Sequence, residues 1–214
     1  PSDVAEAITP IAGDWNGDGV EDSAVSWREP NGPSSLWFVR SEMAGGPASS
    51  VALGDLGVGF LALMDNIDVD FALGAPAGTN RDEMLAIVGV SSSGYNLGVF
   101  GVGVDGCLFQ FDDGAGSPFI MSVAGAVSQM SGVRCDGGAG SQFIVQLQAI
   151  TFDGMNWATT DRRIDRAGAT SLVPGTELPG ILAGTDPLLL LYGQATCGGQ
   201  VYLDEGSDRG AGDF

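Results

Sequence analysis

Histidine and lysine are both missing from this 214-residue chain. Without imidazole there is no Ser-His-Asp triad, no Cys-His dyad and no histidine metal ligand. Without lysine there is no Schiff-base chemistry and no lysine to serve a phosphate-binding loop. Positive charge is scarce altogether: eight arginines face 27 acidic residues, a formal net charge of −19. Such a field repels a phosphate polymer, so nucleic acid is not expected as a partner. Long apolar runs are lacking too. The uncharged stretches Met84–Val104 and Gly114–Val133 are broken by Ser91-Ser92-Ser93-Gly94 and Gly114-Ala115-Gly116-Ser117, and neither reads as a membrane span. Cysteine is limited to positions 107, 135 and 197, too widely spaced for a zinc knuckle and silent by themselves about compartment. No secretory leader is visible from Pro1 onward, and a processed chain is expected.

What remains is apolar and rich in glycine. Hydrophobic residues make up 44 % and mean hydropathy is +0.18, more apolar material than a disordered acidic chain carries. The 35 glycines follow no collagen-like period and separate short apolar runs, as many tight turns between strands require. Strands are expected at Ala24–Trp27, Leu36–Arg40, Met84–Val90, Leu97–Val102, Cys107–Phe111, Phe119–Val123, Phe143–Phe152, Trp157–Ile164, Leu188–Tyr192 and Gln200–Leu203. Asn31-Gly32, Asp105-Gly106, Asp153-Gly154 and Pro174-Gly175 read as turns between them. No long 3.6-residue stripe appears, and Ser122–Met130 is the one stretch weighed as a helical turn. The fold class is all-β.

The segment from Ile11 to Val25 is echoed in Ala62–Leu73, with Asp14 and Asp65 51 residues apart. That period suits a four-stranded blade. Within the first copy, Asp14-x-Asn16-x-Asp18-Gly19-x-x-Asp22 sets side-chain oxygens at loop positions 1, 3, 5 and 9, with the Val20 carbonyl at 7. Hard oxygens at alternate positions, with a glycine for the sharp turn, suit Ca²⁺. A helix-loop-helix hand would need Glu at position 12, where Val25 stands, and Ala24-Val25-Ser26-Trp27 reads as a strand. The loop therefore feeds a sheet.

Gly13 through Asp22, followed by Glu29-Pro30 and Ser35 through Arg40, resembles the calcium-loop repeat of FG-GAP and VCBS-type bacterial surface proteins. Phe71 through Pro76 is similar to the strand and turn of that repeat, and Met84–Arg134 resembles the C-terminal region of secreted actinobacterial members. The resemblance implies a β-propeller-like array of about four blades, with units near 10–58, 59–111, 112–165 and 166–214, and an irregular β-sandwich as the alternative. It also implies an extracellular or cell-surface location and calcium held by Asp14, Asn16, Asp18, Val20 and Asp22. Asp65, Asp68 and Asp70 mark a weaker second cluster. Paired cysteines are implied in this region, and a Cys107–Cys135 bridge with Cys197 unpaired is expected. Any such bridge implies an oxidising compartment.

Other constellations carry less. Gly101-x-Gly103-x-x-Gly106 matches a dinucleotide fingerprint but precedes a strand where that motif needs a helix. The acidic pairs Asp82/Glu83, Asp112/Asp113 and Asp204/Glu205 read as solvated turn charges, and Arg162, Arg163 and Arg166 as an ion-pair group with Asp161 and Asp165. Trp15, Trp27 and Trp37 are expected to pack within or beside the first blade. Gly212-Asp213-Phe214 resembles a repeat start. The leading functional expectation is a calcium-stabilised binding or adhesion module without catalysis, facing a protein or carbohydrate at the cell surface and open to homo-oligomer or polymer contacts. A structural subunit of a filament or surface layer is the alternative. A carboxylate-dependent glycosidase comes third, because it needs two acids about 5–9.5 Å apart across a cleft.

Overall fold

The computed structural model describes residues 6–7, 10–28, 36–42, 48–56, 64–67, 81–137, 142–197 and 200–201. The chain is all-β. A first sheet holds β1 (Glu6–Ala7), β2 (Ile11–Gly13), β3 (Asp22–Arg28), β4 (Leu36–Glu42) and β5 (Ala48–Asp55). β1 and β2 pair with successive stretches of the same side of β3, so the sheet has four antiparallel rows.

The second sheet holds β6 (Met64–Ile67), β7 (Glu83–Ser91), β8 (Gly94–Val102), β9 (Leu108–Gln110), β10 (Ile120–Gly125), β11 (Gln129–Asp136), β12 (Phe143–Thr151), β13 (Asn156–Arg166), β14 (Leu172–Ala183), β15 (Ala195–Cys197) and β16 (Gln200–Val201). Its spine runs β14-β13-β12-β11-β10-β8-β7-β6, with β9 also on β8 and β15 parallel to β11. Neither sheet closes on itself among the described residues. Of the blade-unit boundaries, 111/112 falls where the chain leaves β9 and 165/166 falls inside β13. The boundary at 58/59 lies outside the described residues.

Successive side chains of a strand point to opposite faces. Met84, Leu85, Ala86 and Ile87 are nevertheless all buried, as are residues 97–102 of β8. The β7–β8 pair is therefore covered on both faces, which explains its unbroken apolar sequence. Trp15, Ala24, Leu53 and Leu56 of the first 56 residues join Met84, Leu85, Phe100 and Met121 in one core, so the two sheets are packed together. Their approach is close: a Cβ on Gly54, at φ 126°, would stand 3.0 Å from the Val88 carbonyl oxygen. The Leu108 N–H donates to Ser49 Oγ across the same seam at 2.9 Å.

Leu188–Tyr192, expected as a strand, is part of a 3-10 helix, η1 (Pro187–Gly193). Asp186 caps it by accepting from the Leu188 N–H at 2.9 Å, and Pro187 supplies a preset φ at its start. Leu189 and Tyr192, three residues apart, lie on one side of such a helix and cover Val145, Leu147, Ala149 and Trp157 in a second core. Tyr192 Oη donates to Asp161 Oδ1 at 2.6 Å, and burial pushes its pKa up. Asp161 also pairs with Arg134 at 3.0 Å, and Arg134 with Asp136 at 2.8 Å. The stretch Ser122–Met130 is a β10–β11 hairpin and not a helical turn. Of the expected tryptophans, Trp15 is fully buried and Trp27 half-buried.

The expected Cys107–Cys135 bridge is also corrected. Val133 and Arg134 of β11 pair with Ala195 and Thr196 of β15, and the next residues in that parallel register, Cys135 and Cys197, form the disulfide. Cys107 is free and exposed in the β8–β9 turn, where a hydrogen bond to Asp105 raises its thiol pKa. Closing a loop with a sequence separation of 62 is worth about 4 kcal/mol through the unfolded state. Cys197→Ser is expected to lower the unfolding free energy by about that amount. Denaturant titration of the oxidised protein checks it, and Cys107→Ser should change little.

Pro174-Gly175, expected as a turn, lies inside the twelve-residue β14, with a register shift between Arg162 and Ile164 opposite it. β14 pairs only with β13 among the described strands, so its other edge is open. Gly184 N–H donates to the Met155 carbonyl at one end, and Ala167 N–H donates to the Ser171 carbonyl at the other. Counting the antiparallel alternation inward from both ends puts Pro174 and Pro179 where an N–H would face away from β13. Each proline thus deletes a donor from the open edge, which blunts edge-to-edge pairing. Pro179→Val restores one donor, and light scattering under quiescent incubation is expected to show faster aggregation than the parent protein.

Candidate metal centre

The loop between β2 and β3 is organised by its own acidic residues. Gly13 pairs with Asp22 at the base of the hairpin. Asp14 Oδ1 accepts from the N–H groups of Gly17 (2.8 Å) and Asp18 (3.0 Å), and Asp14 Oδ2 from Gly19 (2.8 Å). Asn16 Oδ1 also accepts from the Asp18 N–H at 2.8 Å, and Asn16 Nδ2 donates to Asp18 Oδ2 at 3.0 Å. Asp18 Oδ1 accepts from the Val20 N–H at 2.8 Å. Four consecutive backbone donors, 17 to 20, are thereby aimed at side-chain oxygens within the loop. Trp15 is fully buried in the core and pins the loop from below, while the Val20 side chain is exposed.

Two residues far away in sequence hold the loop in place. Asp14 N–H donates to Asp82 Oδ2 at 2.9 Å, and Asp82 N–H donates to the Asp14 carbonyl at 3.1 Å. This reciprocal clamp ties the first sheet to the start of β7. Gly17, at φ 77°, lies against Arg81: a Cβ there would stand 3.0 Å from Arg81 Cγ. Arg81 in turn reaches the Val102 carbonyl with Nη1 at 3.4 Å. Asp82 was expected as a solvated charge with Glu83. Glu83 is instead 6 % exposed, because β7 begins there and pairs with Ile67. Nothing within ten residues of the loop marks Asp82 as its neighbour, which lies 68 positions from Asp14.

The five expected calcium donors share this hairpin. Asp14, Asn16 and Asp18 are linked directly by hydrogen bonds, and Asp22, 2 % exposed, stands at the base of the same loop. Among the described residues no three carboxylate or thiolate side chains are gathered at metal-holding distances. The donor chemistry nevertheless suits a hard cation: the loop offers carboxylate and amide oxygens with spare lone pairs and no soft ligand. Of the second acidic cluster, Asp65 is in β6, and Asp68 and Asp70 lie outside the described residues. So do Asp204/Glu205, Phe71 through Pro76 and Gly212 through Phe214.

The remaining acidic and basic clusters serve local structure. Asp112 Oδ1 accepts from Gly114 N–H at 2.7 Å, and Asp113 Oδ1 from Ala115 and Ser117 at 2.9 and 3.1 Å, folding the loop between β9 and β10. Hydrogen bonds, foremost from the Ser171 side chain and the Gly114 N–H, lower the Asp112 pKa. Arg163 pairs with Asp165 as expected, at 3.0 Å. Arg162 instead donates to Glu177 at 2.7 Å across the β13–β14 pair, and Arg166 donates to the Gly168 and Ala169 carbonyls. Gly101 through Gly106 ends β8 and turns into β9.

The chain matches no known protein-family model, no curated protein and no solved structure.

Proposed function

We propose that the chain is a calcium-stabilised binding or adhesion module of the extracellular space, without catalysis, directed at a protein or carbohydrate of the cell surface. The observation that carries this reading is the β2–β3 loop, where oxygen-bearing side chains are concentrated on a hairpin that feeds a sheet. Asp14, Asn16, Asp18, Asp22 and the Val20 carbonyl would hold the ion. Bound calcium would offset the repulsion among carboxylates that the loop brings together. The Cys135–Cys197 disulfide supports an oxidising compartment. The four-row antiparallel first sheet supports a blade-like first unit, whereas the second sheet runs on through the other expected units without dividing into blades among the described residues. A structural subunit of a filament or surface layer is the second reading, favoured by exposed Phe152 and Met155 in the β12–β13 turn and Ile181 on β14.

Calcium titration of the chelator-treated chain, followed by calorimetry and thermal unfolding, tests the leading reading. About one ion per chain is expected. At a hundredfold excess over the dissociation constant the ion adds about 2.7 kcal/mol, raising the melting temperature by roughly 5–10 °C. Asp18→Ala should abolish that rise. Asp82→Ala, which removes a positioning contact and no proposed ligand, should weaken calcium about tenfold while keeping the stoichiometry. A chain that takes up no calcium, with a melting curve indifferent to chelator, would sink the reading.

A further inference from the structure

We propose that one face of β11–β14 is a homotypic interface, packing against the same face of a second copy of this chain. Residues directly opposite one another in an antiparallel sheet project to the same side. Register therefore defines three cross-strand rows on this face. The first is Gln129, Ile150, Ala158 and Ile181; the second is Ser131, Gln148, Thr160 and Pro179; the third is Val133, Gln146, Arg162 and Glu177. The opposite face of the same strands carries Leu147, Ala149 and Trp157 and is covered by η1. The proposed face is open over its first two rows, where Gln129, Ala158, Pro179 and Ile181 are exposed and Ser131, Ile150, Gln148 and Thr160 are half-buried; in the third row Val133 is fully buried in the first core, and Gln146, Arg162 and Glu177 remain partly or fully exposed.

Charge selects the occupant. In a chain of net charge −19, these rows contain one cation and one anion, Arg162 and Glu177, which pair with each other. The rest is aliphatic, hydroxyl, amide or proline. A second copy is repelled by most of this molecule but not by this face, and it presents a neutral face of the same chemistry in return. Turns at the end of the face add Val127, 93 % exposed, and Phe152, fully exposed. Four strands spaced about 4.8 Å apart over some 20 Å of length, the span of three rows two residues apart, present roughly 400 Å² per copy, about 800 Å² in all, the small end of weak, transient pairing. Matching faces related by a two-fold axis make a closed pair, two sheets stacked about 10 Å apart around a shared layer of side chains. The inference stands on this face alone and does not rest on the calcium reading.

Sedimentation equilibrium of the full chain between 20 mM and 0.5 M NaCl tests it. A monomer–dimer equilibrium is expected with a dissociation constant on the order of 10–100 µM at high salt. It should be at least tenfold weaker at low salt, where charge elsewhere on the two copies is unscreened. Ile181→Glu and Ala158→Glu, both at exposed positions, should leave a monomer at every salt concentration with unchanged circular dichroism. Leu178→Glu, exposed on the other face of the same strand, should leave the dimer intact. A parent chain that stays monomeric throughout overturns the proposal, and if that monomer co-sediments with phosphatidylcholine vesicles the face belongs to a lipid surface. A dimer or polymer that survives Ile181→Glu and Ala158→Glu also overturns it, by placing the contact elsewhere.

Discussion

Burial of the β7–β8 pair on both faces is the constraint from which the rest of the architecture follows. Residues 84–87 and 97–102 have no solvent side, so something must cover each face. The first sheet supplies one cover through β5, whose Gly54 permits the backbones to approach. Once β5 is seated there, the β2–β3 hairpin of the same sheet meets residues 81–82 immediately before β7. The Asp14–Asp82 clamp and the Gly17–Arg81 contact are consequences of that packing. The oxygen-rich loop is thus brought to the seam between two sheets by an apolar core, and Asp82 and Arg81 then hold it there.

The acidity of the chain has a structural use that does not require a charged partner. Asp14, Asp18, Asp105, Asp112, Asp113, Asp153 and Asp186 each accept a backbone N–H from a residue two to five positions later, closing a turn or capping η1. Such bonds favour the ionised form: at Asp153 the Asn156 and Met155 N–H groups bring the pKa down to about 2. A sheet protein with this many short connections needs many such residues. Two of its cations sit where acids meet in space, Arg134 between Asp136 and Asp161 and Arg163 beside Asp165.

Strand positions with strong local signals were legible in the sequence, and features set by distant partners were not. Trp157–Ile164 and Phe143–Phe152 are β-branched or aromatic runs bounded by turn residues, and both became strands. The Asp14 loop was legible because an Asx-rich turn is a local device. Cys135 joined Cys197 because β15 returns parallel to β11, a long-range pairing that spacing does not encode. Leu188–Tyr192 has strand-like composition, yet Asp186 and Pro187 start a helix and the second core rewards residues three apart. Leu172–Ala183 was missed because Pro174, Gly175, Pro179 and Gly180 argue for turns anywhere except on an open edge.

β14 shows how one strand can be closed to one kind of association and open to another. Its edge has lost two outward donors to proline, so a neighbouring strand that tried to extend the sheet would meet gaps in its hydrogen-bond ladder. Its face has no comparable device: Ile181 is 77 % exposed and has no charge beside it in its row. Strand addition is indifferent to side chains and runs on indefinitely, whereas face packing depends on side chains and ends once two faces are matched. A chain protected on the edge but bare on the face is therefore biased toward a finite, side-chain-specified contact and away from an open-ended ladder.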